Sequence, residues 1–175
     1  AVFGQSGLNS LLFYTVVYVF MNFSVFMLAE FFINRTGSED IRDWSGLGGK
    51  LIYMSVLMVI VLIALIGLPP TAGFSAKLFV FVALIENYDA SGDKIMLITL
   101  IVCAFNIIIS LFYYLKIPFY LFFQKSSGIS PLKSCVLSNL QLTLVVLPLI
   151  ALFLFSEKTL KLIQQVNYIV KYLVQ

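Results

Sequence analysis

The sequence contains no histidine, only two cysteines and few charged residues. Charged residues make up 11% of the chain, whereas soluble domains carry roughly 25%. Without histidine, and with Cys103 and Cys135 far apart and outside any C-x-x-C pattern, the residues argue against a zinc site, a haem site or a disulfide framework. The Lys and Arg residues are scattered, which argues against nucleic acid as a partner.

Most residues of the chain are apolar. Hydrophobic residues make up 61% of it, and its mean hydropathy is +1.04. Such a composition is typical of an integral membrane protein, so the lipid bilayer is an expected partner. The chain begins with Ala1 and shows no signal-peptide pattern, and we therefore expect it to be cut from a longer protein.

Long apolar stretches separated by polar loops predict an all-α fold, a polytopic transmembrane helical bundle over residues 1–156. Each stretch has at least 18 residues, close to the ~20 that a helix needs to cross a bilayer. The predicted spans, about four in number, are 8–33, 51–87, 95–115 and 138–155.

The tail, residues 157–175, has a different pattern. Leu160, Ile163 and Val166 recur at helical spacing, and lysines lie between them. This pattern predicts an amphipathic helix that lies on a membrane or protein surface.

The second span is too long for one straight helix and is interrupted between Gly67 and Gly73. Pro69 and Pro70 cannot continue a helix. Two interpretations fit these residues: a hairpin of two short spans that turns at the prolines, or one helix broken in the middle. Residues 68–72 offer no charged or amide side chain to face water, which favours the broken helix.

Lys77 follows this break and lies deep inside an apolar run. A charge at mid-membrane costs at least ~2.5–3.5 kcal/mol, so the lysine needs partners. A helix break frees carbonyl and N–H groups, and irregular backbone at that depth is expected where it lines a wet cavity. Lys77 is therefore a candidate proton-relay residue. The alternative is a lysine that snorkels to a headgroup in the hairpin arrangement.

Polar residues inside the first and third spans are candidates for a hydrated path. The alternative for each is an interhelical hydrogen bond, worth only ~0.6 kcal/mol on average. These residues are Asn22, Ser24, Asn106 and Ser110. Glu30 lies near the end of the first span, where an interfacial carboxylate is expected rather than a proton carrier.

Residues 65–79 (LIGLPPTAGFSAKLF) resemble the signature of the antiporter-like membrane subunits of respiratory complex I, and among these the N subunits. Residues 12–22 and 106–116 resemble the helices before and after the broken helix of that family. The resemblance implies the C-terminal part of an inverted-repeat antiporter-like fold, with one discontinuous span. It also implies that Lys77 matches the proton-channel lysine of the family.

The resemblance further implies a proton-translocating subunit of NADH:quinone oxidoreductase, which acts beside other membrane-arm subunits and carries out no redox chemistry itself. No cofactor is expected in this chain, because NADH, FMN, iron–sulfur clusters and quinone belong to partner subunits. The implied location is the bacterial inner membrane, with the mitochondrial inner membrane as the alternative. Two other functions stay open: a subunit of a multisubunit cation/proton antiporter, and a non-conducting structural subunit.

Overall fold

The computed structural model describes residues 5–124 and 136–173, and every regular element within them is helical. A short 3-10 turn, Ile41–Trp44, precedes α2. The α-helices are α1 (Gln5–Thr36), α2 (Leu47–Lys50), α3 (Ile52–Ile66), α4 (Ala72–Ser91), α5 (Lys94–Phe123), α6 (Val136–Leu154) and α7 (Ser156–Leu173).

Among the described residues, α1, α5 and α6 are long and apolar enough to cross a membrane on their own. The apolar helix α3 has only 15 residues, which is short of the ~20 that a crossing needs. The next helix, α4, carries Lys77, Glu86 and Asp89. The protein is thus an all-α transmembrane bundle in which α3 and α4 share one discontinuous span.

Local backbone geometry explains where this span breaks. Gly67 adopts a left-handed conformation (φ 88°) at the end of α3, and its N–H and that of Leu68 both bond to the Ile63 carbonyl, at 3.0 and 3.1 Å. This is a common way to end a helix, and glycine adopts it without strain. Thr71 then precedes α4, and its hydroxyl donates to the Leu68 carbonyl at 2.7 Å.

Contacts along α1 decide between the hairpin and the broken helix. The rings of Phe32 and Trp44, which lies just before α2, are 5.2 Å apart. Further back along α1, the Met21 sulfur lies 3.1 Å from the Cβ position of Gly73 at the start of α4.

Near the start of α1, the rings of Phe13 and Phe79 are 5.3 Å apart. Residues 44, 73 and 79 therefore meet α1 at successively earlier positions, so α3 and α4 run one after the other in the same direction. A hairpin would reverse that order, and the broken helix is the arrangement adopted.

The loop after α1 and the C-terminal end of α5 lie at the same end of the bundle. The Gly46 N–H donates to the Tyr120 carbonyl at 3.1 Å. The hydroxyl of Ser45 also lies 3.5 Å from the side-chain oxygen of Gln124. The helix α5 therefore runs antiparallel to the α3–α4 span and parallel to α1.

The predicted end of the third span is wrong, because α5 continues from Leu115 to Phe123. Pro118 lies inside this helix. A single proline removes one N–H donor, and helices in membranes tolerate this where neighbouring groups compensate. The predicted tail 157–175 corresponds to α7, and its last two residues lie outside the described part of the chain.

Candidate functional site

The Lys77 ammonium is held by the end of α3. Its Nζ donates to the carbonyls of Leu65 at 2.9 Å and of Ile66 at 2.7 Å. The last carbonyls of a helix have no partner within that helix. A cation at this end is also favoured by the helix dipole. The lysine therefore supplies hydrogen bonds to the carbonyls that the break has freed.

The geometry of α4 explains how Lys77 reaches back across the break. Side chains on a helix lean towards its N-terminus, and Lys77 lies in the second turn of α4. Its stem passes over Gly67, where an added Cβ would lie 2.6 Å from the lysine Cδ and 3.2 Å from Nζ. Only a glycine leaves this space open, so Gly67 both ends α3 and admits the lysine.

Gly73 has a separate role at the break. A Cβ placed there would collide with the backbone carbonyl of Ala64. The first turn of α4 therefore packs directly against the last turn of α3, because Gly73 has no side chain. The Pro69–Pro70 segment, whose peptide bond is cis, connects the two helices. The residues of the predicted break thus lie at the junction of α3 and α4, and of these Gly67 lies against the Lys77 side chain.

A cavity of about 440 Å³ adjoins the lysine. It lies between α1, α4 and α5, and the end of α3 contributes Leu65. Polar and aromatic groups make up much of its wall: Tyr14, Tyr18, Lys77, Cys103, Asn106, Ser110 and Tyr114.

Two of the four predicted path residues belong to this cavity. Asn106 and Ser110 line it together with Lys77. Ser110 is half-buried, and its hydroxyl donates to the Ile107 carbonyl at 2.8 Å. Asn106 is exposed, so the amide lies at the open side of the cavity.

The other two predicted path residues lie elsewhere. Ser24 is completely buried, and its hydroxyl lies 2.7 Å from the Phe20 carbonyl of its own helix and 3.1 Å from the Val145 carbonyl of α6. The contact with Val145 is an interhelical hydrogen bond, as in the alternative interpretation. Asn22 donates to the Tyr18 carbonyl at 2.8 Å and lines a groove on the surface of α1 that also includes Glu30.

Sequence reasoning missed the tyrosines of the site. Tyr14 and Tyr18 stack with ring centroids 5.8 Å apart on α1, and both line the cavity with Tyr114. Their spacing of four residues was the available signal, because it places two hydroxyl-bearing rings on one side of a helix. Cys103 also lines the cavity, whereas Cys135 lies outside the described residues.

The site therefore combines a cation, freed backbone carbonyls and a half-open cavity whose mainly apolar wall includes several polar side chains. Half-helices that meet in the middle of a span are the binding elements of many secondary transporters. On fold and site together, the protein is an all-α membrane protein with one discontinuous helix. It belongs to the NADH:quinone oxidoreductase/Mrp antiporter transmembrane family, whose profile matches residues 1–107.

Individual relatives agree with this family. The chain is 40% identical over 124 residues to NADH-quinone oxidoreductase subunit N of Chlorobium chlorochromatii. These aligned residues cover 71% of this chain and 23% of the relative. It is 34% identical over 120 residues to subunit N 2 of Chloroherpeton thalassium, covering 69% of this chain and 22% of that protein. The chloroplastic NAD(P)H-quinone oxidoreductase subunit 2 of Mesostigma viride is 34% identical over 125 residues, covering 71% and 24%.

The chain thus spans less than a quarter of the length of each of these relatives. The family predicted from residues 65–79 is confirmed.

Proposed function

We propose that this chain is part of a proton-translocating membrane subunit of NADH:quinone oxidoreductase, with Lys77 as a proton-relay residue. The observation that carries the proposal is the contact of the Lys77 ammonium with the freed carbonyls of Leu65 and Ile66, beside a cavity that has polar side chains in its wall. The relatives named as subunits of this oxidoreductase support the complex as its setting.

The chemistry of the lysine suits a relay. An ammonium has three N–H donors, and the two bonds to carbonyls leave one for the cavity. The cavity has room for several water molecules, each of which occupies ~30 Å³ in the liquid. Protonated Lys77 is held by the carbonyl oxygens at the end of α3. Loss of the proton removes the charge and one donor, and this weakens that contact.

The Lys77 side chain would then alternate between two arrangements as it gains and loses a proton. In the first, the charged lysine is bound to the Leu65 and Ile66 carbonyls. In the second, the neutral amine has released its proton towards the cavity wall, where Asn106, Ser110 and Tyr114 offer polar groups. A change in charge on neighbouring subunits would shift the balance between the two arrangements, because electrostatic interactions are stronger inside a protein than in bulk water.

The same proposal implies the partners, the location and the placement of the cofactors. The partners are other membrane-arm subunits and the bilayer, and the bacterial inner membrane is the favoured location because several relatives are bacterial. NADH, FMN, iron–sulfur clusters and quinone are assigned to partner subunits. This chain would contribute proton transfer alone.

The decisive experiment replaces Lys77 by Ala and, separately, by Arg in the complete complex. Proteoliposomes then report protons translocated per NADH oxidised. Arginine keeps the charge and can still donate to the carbonyls, but it does not release its proton. A relay role predicts that both variants translocate fewer protons per NADH oxidised than the parent does.

The control is the same pair of substitutions at Lys116, which lies near the end of α5 and outside the cavity. These variants are expected to pump as the parent does. If Lys77→Arg pumps normally and Lys77→Ala does not, the lysine has only a structural role. If both pump normally, the relay role is wrong.

A cation/proton antiporter is the second candidate, because the matched family includes Mrp antiporters. Transport that requires sodium and proceeds without a quinone reaction would favour it. The same Lys77 variants separate the two candidates when proton flux is measured with and without sodium.

A further inference from the structure

The amphipathic helix α7 begins where a membrane span ends. The apolar part of α6, Leu137–Leu154, has 18 residues and is about 27 Å long at ~1.5 Å per residue. This nearly equals the ~30 Å thickness of a bilayer hydrocarbon core. Only Phe155 separates α6 from α7, and its N–H still bonds to the Ala151 carbonyl at 3.0 Å. The first turn of α7 therefore lies at the bilayer boundary.

One side of α7 is held against the bundle. Leu160 and Ile163 pack against the hydrophobic core. Further along, the Asn167 side chain donates to the side-chain oxygen of Asn9 in α1 at 2.9 Å. These contacts fix α7 beside the N-terminal part of α1, and they account for two of the apolar residues predicted in the tail.

A second side of α7 is apolar and has no cover within the described chain. Leu162, Val166 and Ile169 recur at steps of four and three, and each is more than half exposed, at 60%, 59% and 56%. Phe155, seven residues before Leu162, continues this side and is 53% exposed.

The third side is polar. Lys158, Lys161 and Gln165 recur at steps of three and four and are all exposed. The Lys158 ammonium lies 5.4 Å from the centre of the Phe155 ring. Lysine stems of this kind lie along an apolar surface while the charge reaches the headgroup level.

We propose that α7 lies in the surface of the bilayer, with Leu162, Val166 and Ile169 inserted among the lipids and with Lys158 and Lys161 on anionic headgroups. We assign the bilayer to the apolar side of α7 because α6, which is about as long as the bilayer is thick, ends where α7 begins. The apolar side of α7 also continues from Phe155, next to the lipid-length span. Exposed apolar residues with neighbouring lysines are what an anionic membrane surface binds. This proposal does not depend on proton transport.

The test uses the full-length protein in its complex, reconstituted in nanodiscs of phosphatidylethanolamine and phosphatidylglycerol. Cys103 and Cys135 are replaced by Ser, and single spin labels are introduced through Leu162→Cys, Val166→Cys or Gln165→Cys. Collision of each label with oxygen, which concentrates in lipid, is compared with collision with a water-soluble nickel chelate.

The proposal predicts that labels at positions 162 and 166 collide several-fold more with oxygen than with nickel. The matched label at position 165, on the polar side of the same helix, is expected to show the reverse. Greater nickel accessibility at 162 and 166 would place this side in water and overturn the proposal. Protection from both reagents would mean that a protein covers it, which also overturns the proposal.

The binding of Lys158 and Lys161 to anionic headgroups is tested by removing the charge from the lysines or from the lipids. With Lys158→Gln and Lys161→Gln together, or in nanodiscs of phosphatidylcholine alone, the label at 166 is expected to lose part of its oxygen accessibility. Glu157→Gln is the matched control, because it removes a charge of the opposite sign from the same turn of α7 and is expected to cause no loss. An unchanged label at 166 in the lysine variant would contradict the role of anionic headgroups.

Discussion

Two segments of this protein each combine proline with a nearby lysine, and their structures differ. Around Pro69 and Pro70 the span is broken, and Lys77 reaches back to bond two backbone carbonyls. Around Pro118 the helix α5 is continuous. There, the Lys116 ammonium lies over the rings of Phe112 and Tyr113 on the helix surface, at 5.0 and 5.3 Å.

The difference shows that proline alone does not create the lysine site. In α5 a single proline removes one hydrogen bond, and no glycine stands beside it to reverse the backbone. At the break, Gly67 turns the chain into the left-handed region. Gly73 then allows α4 to begin against the side of α3. The two glycines are therefore as important to the site as the prolines are.

The largest effect is expected for Gly73→Ala, which tests the close approach of α3 and α4. The new methyl group would meet the Ala64 backbone, which cannot move aside as a side chain can. We expect a loss of about 3 kcal/mol in the free energy of unfolding, at the upper end of the usual cost of overpacking. Thermal unfolding of the purified full-length protein measures it.

Gly49→Ala is the control for that comparison. No atom lies within 4 Å of the added Cβ, so stability should change by less than about 1 kcal/mol. Equal losses in the two variants would contradict the packing argument.

Gly67→Ala tests the position of the lysine. Its Cβ would displace the Lys77 stem, and a hydrogen bond to a charged group is worth about 1.5–3 kcal/mol. We expect the rate of proton uptake by proteoliposomes that contain the complete complex to fall by about tenfold, which corresponds to about 1.4 kcal/mol of activation free energy.

Gly92→Ala is the control for Gly67→Ala, because Gly92 also has a left-handed backbone (φ 66°). Unlike Gly67, Gly92 has open space around the position of an added Cβ. Both substitutions carry a strain of about 1–2 kcal/mol, so both should lower thermal stability. Pumping should fall in Gly67→Ala alone. A similar fall in Gly92→Ala would mean that strain, and not displacement of Lys77, is the cause.

A smaller effect on pumping is expected for one of two neighbouring tyrosines on α5. Tyr114 lines the cavity, whereas Tyr113 is 61% exposed beside Lys116. Removing one hydroxyl from the cavity in Tyr114→Phe should slow pumping by about threefold, because a neutral hydrogen bond contributes about 0.5–1.5 kcal/mol. Tyr113→Phe should leave the rate of proton uptake in proteoliposomes unchanged. Equal rates in the two variants would remove Tyr114 from the proposed path.

The smallest effect is expected for Pro118→Ala. The helix already continues through this position, so an alanine adds one N–H donor without changing the path of the chain. We expect proton pumping to stay as in the parent, because Pro118 lies outside the cavity, and the added donor should leave the free energy of unfolding unchanged or raise it. A loss of pumping or of stability would show that Pro118 also shapes the site.

Much of the architecture could be predicted from the residues. Apolar runs predicted the membrane bundle, because the length of a span follows from the thickness of the bilayer. Pro69, Pro70 and the flanking glycines predicted a break for reasons of backbone geometry alone. The C-terminal end of α5 was missed, since the effect of Pro118 depends on groups that compensate for its missing donor. The partners of Lys77 were also missed.

By itself, the sequence determined that the chain spans a membrane, that one span is interrupted, and that a lysine follows the interruption. Hydropathy and the backbone restrictions of proline and glycine act locally and need no tertiary contacts. Only the tertiary structure decided that α3 and α4 run in one direction along α1. It also decided that Lys77 bonds Leu65 and Ile66, and that Ser110 joins the cavity while Ser24 bonds α6. Those outcomes depend on how distant helices pack, because packing determines which polar groups come within hydrogen-bonding distance.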